Sequence, residues 1–495
     1  MRRITITKHI FLLVGLLGFT ATAQFTEVAK VVSEDREGRA EFGTSVAIHD
    51  EVAVIGASRE NFASGAAYTY VKDTDGNWNF LQKLSAADSN EGAEYGGGAK
   101  INGNHLVVAA GRADVDGVIR AGALYVYENT NDAWELSTKL VASDYSGDAK
   151  MGMNPTSIAM QENIIVAGAP GENSWTGSVY VFTYDGTEWT EAQKITAPSP
   201  QISDAFGIGV AMAGDQLAIG ANQFNGAKGG VLLYTKDASG QWVYDQTIEA
   251  SNGVAQDYFG SSVSMTEDQM VVGAYGVEAE QGGAYVYEKN SEGIWEEVQI
   301  LSGTPSTERV QYGWDTDIQK DYIVVTAPHI YGFENTETYL YKRSSTGTWE
   351  EEQRIQTSEG SEEDFYGWSV AMYENQLLVG APRDDFDSNG DNEMGDAGAA
   401  YFFNNPTMLG GITTATEEAS FAMYPNPAND VVTLESVSMP ISSVRVYTIQ
   451  GVLVSQHTAS AQQVQIATAS YSSGVYMVET TFDNGTQRVQ KLIKE

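Results

Sequence analysis

The feature that most constrains this chain is a unit that recurs seven times at intervals of 53 to 56 residues. Each unit contains four short runs of β-branched and aromatic residues bounded by Gly, Asn, Asp or Ser, which is the pattern of antiparallel hairpins. Each unit opens with an aromatic residue, or once a methionine, followed by glycine. These openings are Phe42, Tyr95, Met151, Phe206, Phe259, Tyr312 and Tyr366. A period of about 50 residues with four strands per unit predicts a β-propeller.

Other landmarks recur with the same spacing. Gly-Ala closes the second predicted strand at Gly56, Gly168, Gly220, Gly273 and Gly380. A tryptophan opens the fourth strand at Trp78, Trp134, Trp189, Trp242, Trp295 and Trp349. Because the tryptophan recurs at one strand position, we interpret it as core between blades and not as a ligand platform.

The seventh unit ends without a fourth strand. After Tyr401 the chain continues into NNPTMLGG, which contains no tryptophan. The segment before the first unit, FTEVAKVVSED, has Phe25 in the tryptophan position and Val31 six residues later. We therefore predict that this N-terminal strand completes the seventh blade and closes the ring, which removes exposed strand edges.

The segments outside the repeats differ in composition. Residues 1–23 combine basic residues, an apolar run and Ala21-Thr22-Ala23, which predicts a secretory signal peptide. Residues 404–420 carry no periodicity and are predicted to be a linker. Residues 421–495 alternate short strands and turns, which predicts a small β-sandwich. The expected fold is therefore all-β, with a seven-bladed propeller over residues 24–403 and no membrane span in the mature protein.

On these motifs the repeats resemble FG-GAP repeats, the blade type of the integrin α-subunit propeller. The tail resembles the C-terminal sorting domain of type IX secretion, through Tyr424-Pro-Asn-Pro-Ala-Asn-Asp430, Gly474-Val-Tyr-Met-Val-Glu479 and Lys491-Leu-Ile-Lys494. The first resemblance implies a binding or cell-adhesion module. The second implies export by the type IX machinery, and a protein secreted from, or held on the outer membrane of, a Gram-negative bacterium.

Composition argues against several functions. The chain has a formal net charge of −38, and residues 24–403 hold 59 acidic against 21 basic residues. Such acidity argues against nucleic acid or anionic lipid as a partner, favours solubility, and would attract cations such as Ca²⁺. The absence of cysteine excludes disulfides, thiolate metal sites and a cysteine nucleophile. No His-Glu-x-x-His or Gly-x-Ser-x-Gly motif occurs, so we interpret the protein as a non-enzyme.

Loop lengths divide the predicted propeller into two faces. The turns between first and second strands, and between third and fourth strands, are tight. The loops after the second strand and those between blades are long, and both sets emerge on one face, where binding is expected. The candidate ligand contacts are the non-recurring aromatic residues of these loops, namely Phe62, Trp175, Tyr275, Tyr331, Phe333 and Phe386. The expected ligand is an extracellular glycan or protein.

One long loop of the seventh unit carries an oxygen-rich run. Its candidate ligands for Ca²⁺ are Asp385, Asp387, Asn389, Asp391 and Glu393, and Gly390 permits a tight turn among them. Six to eight hard oxygen ligands are what Ca²⁺ requires, although an ordinary solvated loop has the same composition. Many FG-GAP repeats carry a calcium loop between first and second strands. Those turns are too short here, so that site cannot be transferred by position.

Two functions remain open, a binding or adhesion module and a hydrolase of extracellular polymers that uses carboxylates on the long-loop face. Clustering of non-recurring acids and aromatic residues in one pocket would favour the hydrolase, and dispersal around the rim would favour binding. Glu94, Asp204, Asp257 and Asp364 lie just before aromatic-glycine pairs. Because they recur with the repeat, we expect them to brace each blade and not to catalyse a reaction.

Overall fold

The computed structural model describes residues 24–130, 133–303, 309–329, 336–358, 363–405, 421–424, 426–436, 440–448, 453–482 and 487–494. Within these ranges the protein forms seven four-stranded antiparallel sheets, followed by a three-stranded and a four-stranded sheet. The all-β class and the seven blades are therefore confirmed. The predicted signal peptide and nearly all of the predicted linker lie outside the described residues.

Each of the first six blades uses four strands that are consecutive in sequence. Blade 1 contains β2 (Phe42–His49), β3 (Val52–Ala57), β4 (Ala66–Lys72) and β5 (Trp78–Leu84). Blade 2 contains β6 (Tyr95–Asn102), β7 (His105–Ala110), β8 (Ala123–Thr130) and β9 (Ala133–Leu140). Blade 3 contains β10 (Ile158–Gln161), β11 (Ile164–Ala169), β12 (Ser178–Tyr184) and β13 (Trp189–Ile195).

The later blades follow the same plan. Blade 4 contains β14 (Phe206–Ala213), β15 (Gln216–Ala221), β16 (Gly230–Lys236) and β17 (Trp242–Ile248). Blade 5 contains β18 (Ser262–Met265), β19 (Gln269–Ala274), β20 (Gly283–Lys289) and β21 (Trp295–Leu301). Blade 6 contains β22 (Thr316–Gln319), β23 (Tyr322–Ala327), β24 (Glu337–Arg343) and β25 (Trp349–Ile355). Blade 7 contains β26 (Ser369–Tyr373), β27 (Gln376–Ala381), β28 (Ala399–Asn404) and the N-terminal strand β1 (Thr26–Val31).

The N-terminal strand closes the ring as predicted. It pairs antiparallel with β28, and Phe25 is buried in the core between blades 6 and 7. The side chain of Gln353 accepts a hydrogen bond from the Phe25 N–H at 2.7 Å and donates one to the Phe25 carbonyl at 2.8 Å. Gln82 makes the same two bonds to the backbone of Trp134. Phe25 therefore occupies the tryptophan position of the seventh blade.

The recurring tryptophans lie in the core between blades. The indole of Trp78 stacks on Phe402 of blade 7 with ring centroids 4.2 Å apart, and all six tryptophans at this position are buried. This placement confirms the interpretation of the tryptophan series as packing. One tyrosine in the third strand of each blade is buried as well, so each blade face is covered by its neighbour. These residues are Tyr68, Tyr125, Tyr180, Tyr234, Tyr285, Tyr339 and Tyr401.

Glycine is required where one blade meets the next. Gly65 has φ of +84°, and a Cβ added there would lie 2.0 Å from the carbonyl oxygen of Tyr95 in blade 2. The same contact recurs at the closure, where Gly398 of blade 7 forms a parallel bridge with Phe42 of blade 1. Only a residue without a side chain permits this approach.

Among the described loops, one left-handed turn follows the second strand in each of four blades. These turns are α1 (Glu60–Ala63), α2 (Glu172–Trp175), α3 (Phe224–Ala227) and α4 (Val277–Glu280). Left-handed backbone costs an L-residue roughly 1–2 kcal/mol. Hydrogen bonds to the next blade offset this cost. In α2, for example, the Trp175 carbonyl accepts the Ala205 N–H at 2.7 Å.

The tail forms the predicted sandwich. One sheet contains β29 (Phe421–Tyr424), β30 (Val431–Ser436) and β33 (Gln463–Ala467). The other contains β31 (Ile441–Thr448), β32 (Leu453–Ala461), β34 (Gly474–Phe482) and β35 (Gln487–Lys494). Val432 and Ile466 from the first sheet pack with Val446, Val478 and Leu492 from the second in one buried cluster.

Candidate functional site

One backbone hydrogen bond recurs in all seven blades and sets the geometry of the long-loop face. The second residue after β3, or after its equivalent, donates its N–H to the residue two positions before the aromatic-glycine pair of the same blade. The seven donors are Arg59, Arg112, Gly171, Gln223, Gly276, His329 and Arg383, at 3.0 to 3.4 Å. The loop after the second strand and the loop leading into the blade therefore meet on one face, as predicted.

The side chains next to this bond do not recur, although their backbone does. The residue before the aromatic-glycine pair has φ between 53° and 56° in every blade, yet its identity changes. These residues are Glu41, Glu94, Lys150, Ala205, Tyr258, Gln311 and Phe365. The residues after the pair are Thr44, Gly97, Met153, Ile208, Ser261, Trp314 and Trp368. Blade packing does not require any one of these side chains, which leaves them available for function.

Several of these positions surround a cavity on the propeller axis, which we call the axial pit. Its volume is about 340 Å³, and its lining includes Glu41, Glu94, Tyr275, Trp314 and Trp368. The residues come from blades 1, 2, 5, 6 and 7, which only the closed ring brings together.

Five half-buried rings form a continuous series beside the pit, which we call the aromatic arc, and its three central members, Tyr275, Trp314 and Trp368, line the cavity. Tyr258 stacks on Tyr275 with centroids 5.0 Å apart, and Tyr275 lies 5.3 Å from Trp314. Trp314 lies 4.8 Å from Trp368, which stacks on Phe365 at 5.8 Å. The arc spans blades 5, 6 and 7 and supplies two indole side chains and one phenol side chain to the pit lining.

The opposite side is charged. Arg59 contacts Glu41 at 3.0 Å, and Arg112 contacts Glu94 at 3.2 Å, in each case through Nε. The equivalent Arg383 of blade 7 lies 4.1 Å above the ring of Phe365 at the end of the aromatic arc. Burial raises the pKa of Glu41, and the Arg59 guanidinium opposes that rise.

A buried amide adds an acceptor to the pit. Asn222 lines the cavity and is 8% exposed. Its Nδ2 donates to Ser261 Oγ at 3.1 Å, whereas its Oδ1 has no partner among the described residues. A buried polar atom without a partner costs about 1–3 kcal/mol. A donor on a ligand, such as a hydroxyl group, would remove that cost.

An insertion in blade 3 forms the floor of the pit. The interval from Gly152 to Gly168 is 16 residues, against 13 from Gly43 to Gly56 in blade 1. The extra residues lead into the 3₁₀ turn Pro155–Ser157. We call residues 153–157 the plug.

The plug separates the pit from the central channel. Below it lies a second cavity of about 190 Å³, lined by Lys100, Asp317 and the first strands of the blades. The two cavities share only Thr156 and Asp315 among their lining residues. The pit is therefore open to the long-loop face and obstructed toward the channel.

Asp315 is a buried carboxylate at this boundary. It accepts the N–H groups of Thr316 and Val370, both at 2.9 Å. Desolvation raises its pKa to about 7, although Lys100 and these N–H groups oppose the rise. Its position between strands of blades 6 and 7 indicates that it stabilises an otherwise unpaired strand edge.

Replacing Asp315 with asparagine is expected to change how stability depends on pH. Because the folded pKa of about 7 exceeds the ordinary value of 3.8, the folded state binds more protons than the unfolded state between these values. Asp315 therefore lowers stability progressively as pH rises from about 4 to 7. Asp315→Asn removes this trend. As pH rises from about 4 to 7, the free energy of unfolding of the variant relative to that of wild type should therefore increase by at most about 4 kcal/mol. Urea unfolding at several pH values measures this gain. Asp75 is exposed, so Asp75→Asn serves as the control. If the unfolding free energy of Asp315→Asn changes with pH in parallel with that of wild type, the prediction is wrong.

The structure separates the sequence-predicted ligand contacts. Tyr275 lies in the aromatic arc. Phe62 is 77% exposed on α1 at the rim, and Trp175 lies under the Lys150 ammonium at 4.5 Å, so neither lines the pit. Phe386 is also outside the pit lining, with 42% of its surface exposed. Tyr331 and Phe333 lie outside the described residues.

Four rings of the arc were missed because they adjoin the recurring aromatic-glycine pair. The sequence signal that points to them is that the residue before or after the aromatic-glycine pair is aromatic in only some of the blades.

The bracing role is confirmed for Asp204, which accepts the Gln201 N–H at 3.0 Å, and for Asp257, which accepts the Val254 N–H at 2.7 Å. Glu94 occupies the next position along the chain, where it pairs with Arg112 at 3.2 Å and lines the pit.

The oxygen-rich loop of blade 7 uses its carboxylates internally. Asp387 Oδ1 accepts the N–H groups of Asn389 and Asp391 at 2.9 and 3.0 Å, and Asp385 Oδ1 accepts that of Asp396 at 2.7 Å. Within the described ranges no group of three or more His, Cys, Asp or Glu side chains is arranged to hold a metal. Calcium at this loop stays a prediction.

The calcium prediction has a direct measurement. If the loop rearranges around Ca²⁺, titrating the ion into chelator-treated protein releases heat and raises the melting temperature, because the ion binds the folded state. Both effects should vanish in Asp387→Ala. Identical heats in wild type and variant would remove this loop as a calcium site.

Sequence comparisons agree with the architecture. The FG-GAP repeat family matches residues 25–70, 78–127, 189–233, 242–287 and 349–403, and the secretion system C-terminal sorting domain family matches residues 422–495. The plug lies between the matched stretches. No curated protein matches the chain significantly.

Two solved structures are similar to this chain at low identity. A protein from Lactobacillus plantarum is 10% identical with a TM-score of 0.46, over 85% of this chain and 99% of that one. A periplasmic gluconolactonase from Pseudomonas aeruginosa is 12% identical with a TM-score of 0.44, over 65% of this chain and 87% of that one.

The fold and the family matches together define the class of the protein. No helix in the described part of the chain is long and apolar enough to cross a bilayer. The sorting domain directs type IX secretion to the cell surface or the outside of a Gram-negative bacterium. The chain thus carries FG-GAP repeats, folded with their neighbours into a closed seven-bladed propeller, and a secretion system C-terminal sorting domain.

Proposed function

We propose that this protein is an extracellular binding module that holds a saccharide in the axial pit. The observation that carries the proposal is the aromatic arc, with its half-buried rings at positions that the repeat leaves free to vary. Aromatic faces pack against the C–H faces of sugar rings and contribute large contact areas. A concave site with such a wall and a few converging polar groups is the usual form of a ligand pocket.

The polar side of the pit supports a saccharide over a purely apolar ligand. The Arg59–Glu41 and Arg112–Glu94 pairs place donors and acceptors side by side, which suits hydroxyl groups that both donate and accept. Asn222 Oδ1 offers a further acceptor. On the cell surface, such binding would act as adhesion to glycan-bearing material.

Truncating the arc is expected to weaken glycan binding. Trp314→Ala or Trp368→Ala removes a large ring from the wall, and each should weaken binding by about 10-fold or more. A glycan array on the propeller would find the saccharide, and calorimetry would then measure its affinity for each variant. Phe62→Ala is the matched control, because Phe62 is an exposed ring on the same face outside the pit. Equal affinities in all variants would place the site elsewhere.

Hydrolysis of an extracellular polymer is the second candidate. The pit gathers Glu41, Glu94 and Asp315 with the aromatic arc, which is the clustering that favours the hydrolase. We place it second because each of these carboxylates already has partners within the protein, an arginine for each glutamate and two backbone N–H groups for the aspartate. Burial raises the pKa of Glu41, as a general acid requires. Release of reducing ends from the bound glycan would test this candidate. Glu41→Gln should abolish release of reducing ends, and a bound glycan that stays intact with wild type would leave binding as the function.

A further inference from the structure

We infer that the axial pit receives the end of a saccharide chain and not its middle. This inference rests on the proposed function, since it states how the ligand lies in the same site. A groove open at both ends lets a polymer lie across it, whereas a pit with a floor admits only a terminus. The plug supplies that floor.

The plug reaches across several blades. It begins in blade 3, and its Thr156 hydroxyl lies 3.0 Å from the Ile208 carbonyl of blade 4 and 3.3 Å from the Ser261 carbonyl of blade 5. On its other side, Met153 packs against Gly111 of blade 2 so closely that a Cβ there would lie 2.4 Å from the Met153 Cα. The insertion is therefore held by contacts with blades 2, 4 and 5.

The first strand of blade 2 has a glycine where it meets the plug. Blades 1, 5 and 7 have a serine two residues after the glycine of the aromatic-glycine pair, and in blade 1 the Ser45 hydroxyl donates to the Gly96 carbonyl at 2.8 Å. Blade 2 has Gly98 and blade 4 has Gly209 at this position, and of the two Gly98 adjoins the plug. A Cβ there would lie 3.0 Å from the Asn154 carbonyl of the plug and 2.9 Å from Ile158 Cδ1. The absence of a side chain at Gly98 therefore lets the plug backbone pack directly against the first strand of blade 2.

The size of the pit agrees with a terminal unit. Its 340 Å³ lies near the lower limit of ligand pockets, which span about 300–1,000 Å³. The aromatic arc forms one wall above the floor, so a terminal ring can stack there. The rest of the chain must leave through the long-loop face, because Thr156 and Asp315 stand between the pit and the channel.

Chain length and end-capping test the inference on the wild-type protein. The probes are cello-, laminari-, xylo-, manno- and galacturono-oligosaccharides of two to six units, with the affinity expressed per mole of chain. For a series that binds, we expect the affinity to level off by the trisaccharide. Capping one terminus, by reductive amination at the reducing end or O-methylation at the non-reducing end, should weaken binding at least 10-fold. Capping the other terminus should have little effect.

Variants of the plug provide the second arm. Deleting residues 153–155 restores the 13-residue interval of the other blades and opens the floor. The affinity of the deletion variant should then increase with chain length and lose its sensitivity to end-capping. Thr156→Val keeps the shape of the side chain but removes its contacts with two carbonyls, and should reduce the penalty of the cap. Thr187→Val, in an exposed turn of blade 3, is the control and should behave as wild type.

The outcomes separate this inference from the function on which it rests. If wild-type affinity rises steadily with length and neither cap matters, end-on binding is overturned while saccharide binding stands. If no oligosaccharide binds wild type, the proposed function falls and the inference falls with it. The capping experiment uses wild-type protein, so it tests the inference even if the deletion variant does not fold.

Discussion

Deleting residues 24–33 is expected to destabilise the whole propeller and not only its seventh blade. The deletion removes β1, leaves β28 as an exposed edge and uncovers the core cluster that contains Phe25. Loss of a buried phenylalanine alone costs about 3–5 kcal/mol, and the strand contributes further hydrogen bonds. Since this strand is the fourth strand of blade 7 and joins the N-terminus to the last blade, we expect the melting temperature to fall by on the order of 10 °C.

Point variants separate ring closure from a general effect of truncation. Phe25→Ala should lose about 3–5 kcal/mol of unfolding free energy, whereas Val28→Ala, at a 48% exposed position beside it, should change stability by less than about 0.5 kcal/mol. Gln353→Ala should match Gln82→Ala, because both glutamines hold a backbone in the same way. Thermal denaturation followed by circular dichroism measures all of these, and an unchanged melting temperature in the deletion would refute closure by this strand.

Removing residues 421–495 is expected to stop export while leaving the propeller folded. The buried cluster of the tail consists entirely of tail residues, so its loss uncovers no described core of the blades. The truncated protein should keep its strand content and accumulate in the periplasm, with extracellular protein falling to near zero. Cell fractionation with immunodetection measures the distribution. Truncated protein in the medium at normal levels would show that the sorting assignment is wrong.

A buried charge should reproduce the export defect without any truncation. Val446 is fully buried between the two sheets of the sandwich, and an unpaired carboxylate there is strongly destabilising. Val446→Asp should therefore block export. Val454→Asp, at a 38% exposed position of the same sandwich, is the matched control and should be exported. Equal export of the two variants would show that the folded sandwich is not what the machinery requires.

The axial pit shows where sequence reasoning met its limit. The sequence identifies Tyr275 as a loop aromatic residue. Trp314 and Trp368 directly follow recurring glycines, so the repeat pattern does not distinguish them from residues that pack the blades. Their failure to recur was visible in the sequence, and so was the longer interval in blade 3. Neither observation states which residues converge, because the members of the pit lie up to about 330 positions apart in the chain.

The amino-acid sequence by itself determined the blade, the number of blades and the strand that closes the ring. Each of these depends on local pattern and on repetition, since a strand alternates every two residues and a recurring glycine or tryptophan occupies one packing position. Only the tertiary structure decided that the non-recurring residues of different blades form one pit with a floor. Closing the ring brings distant residues to a common axis, and the direction and spacing of their side chains there depend on the packing of all seven blades.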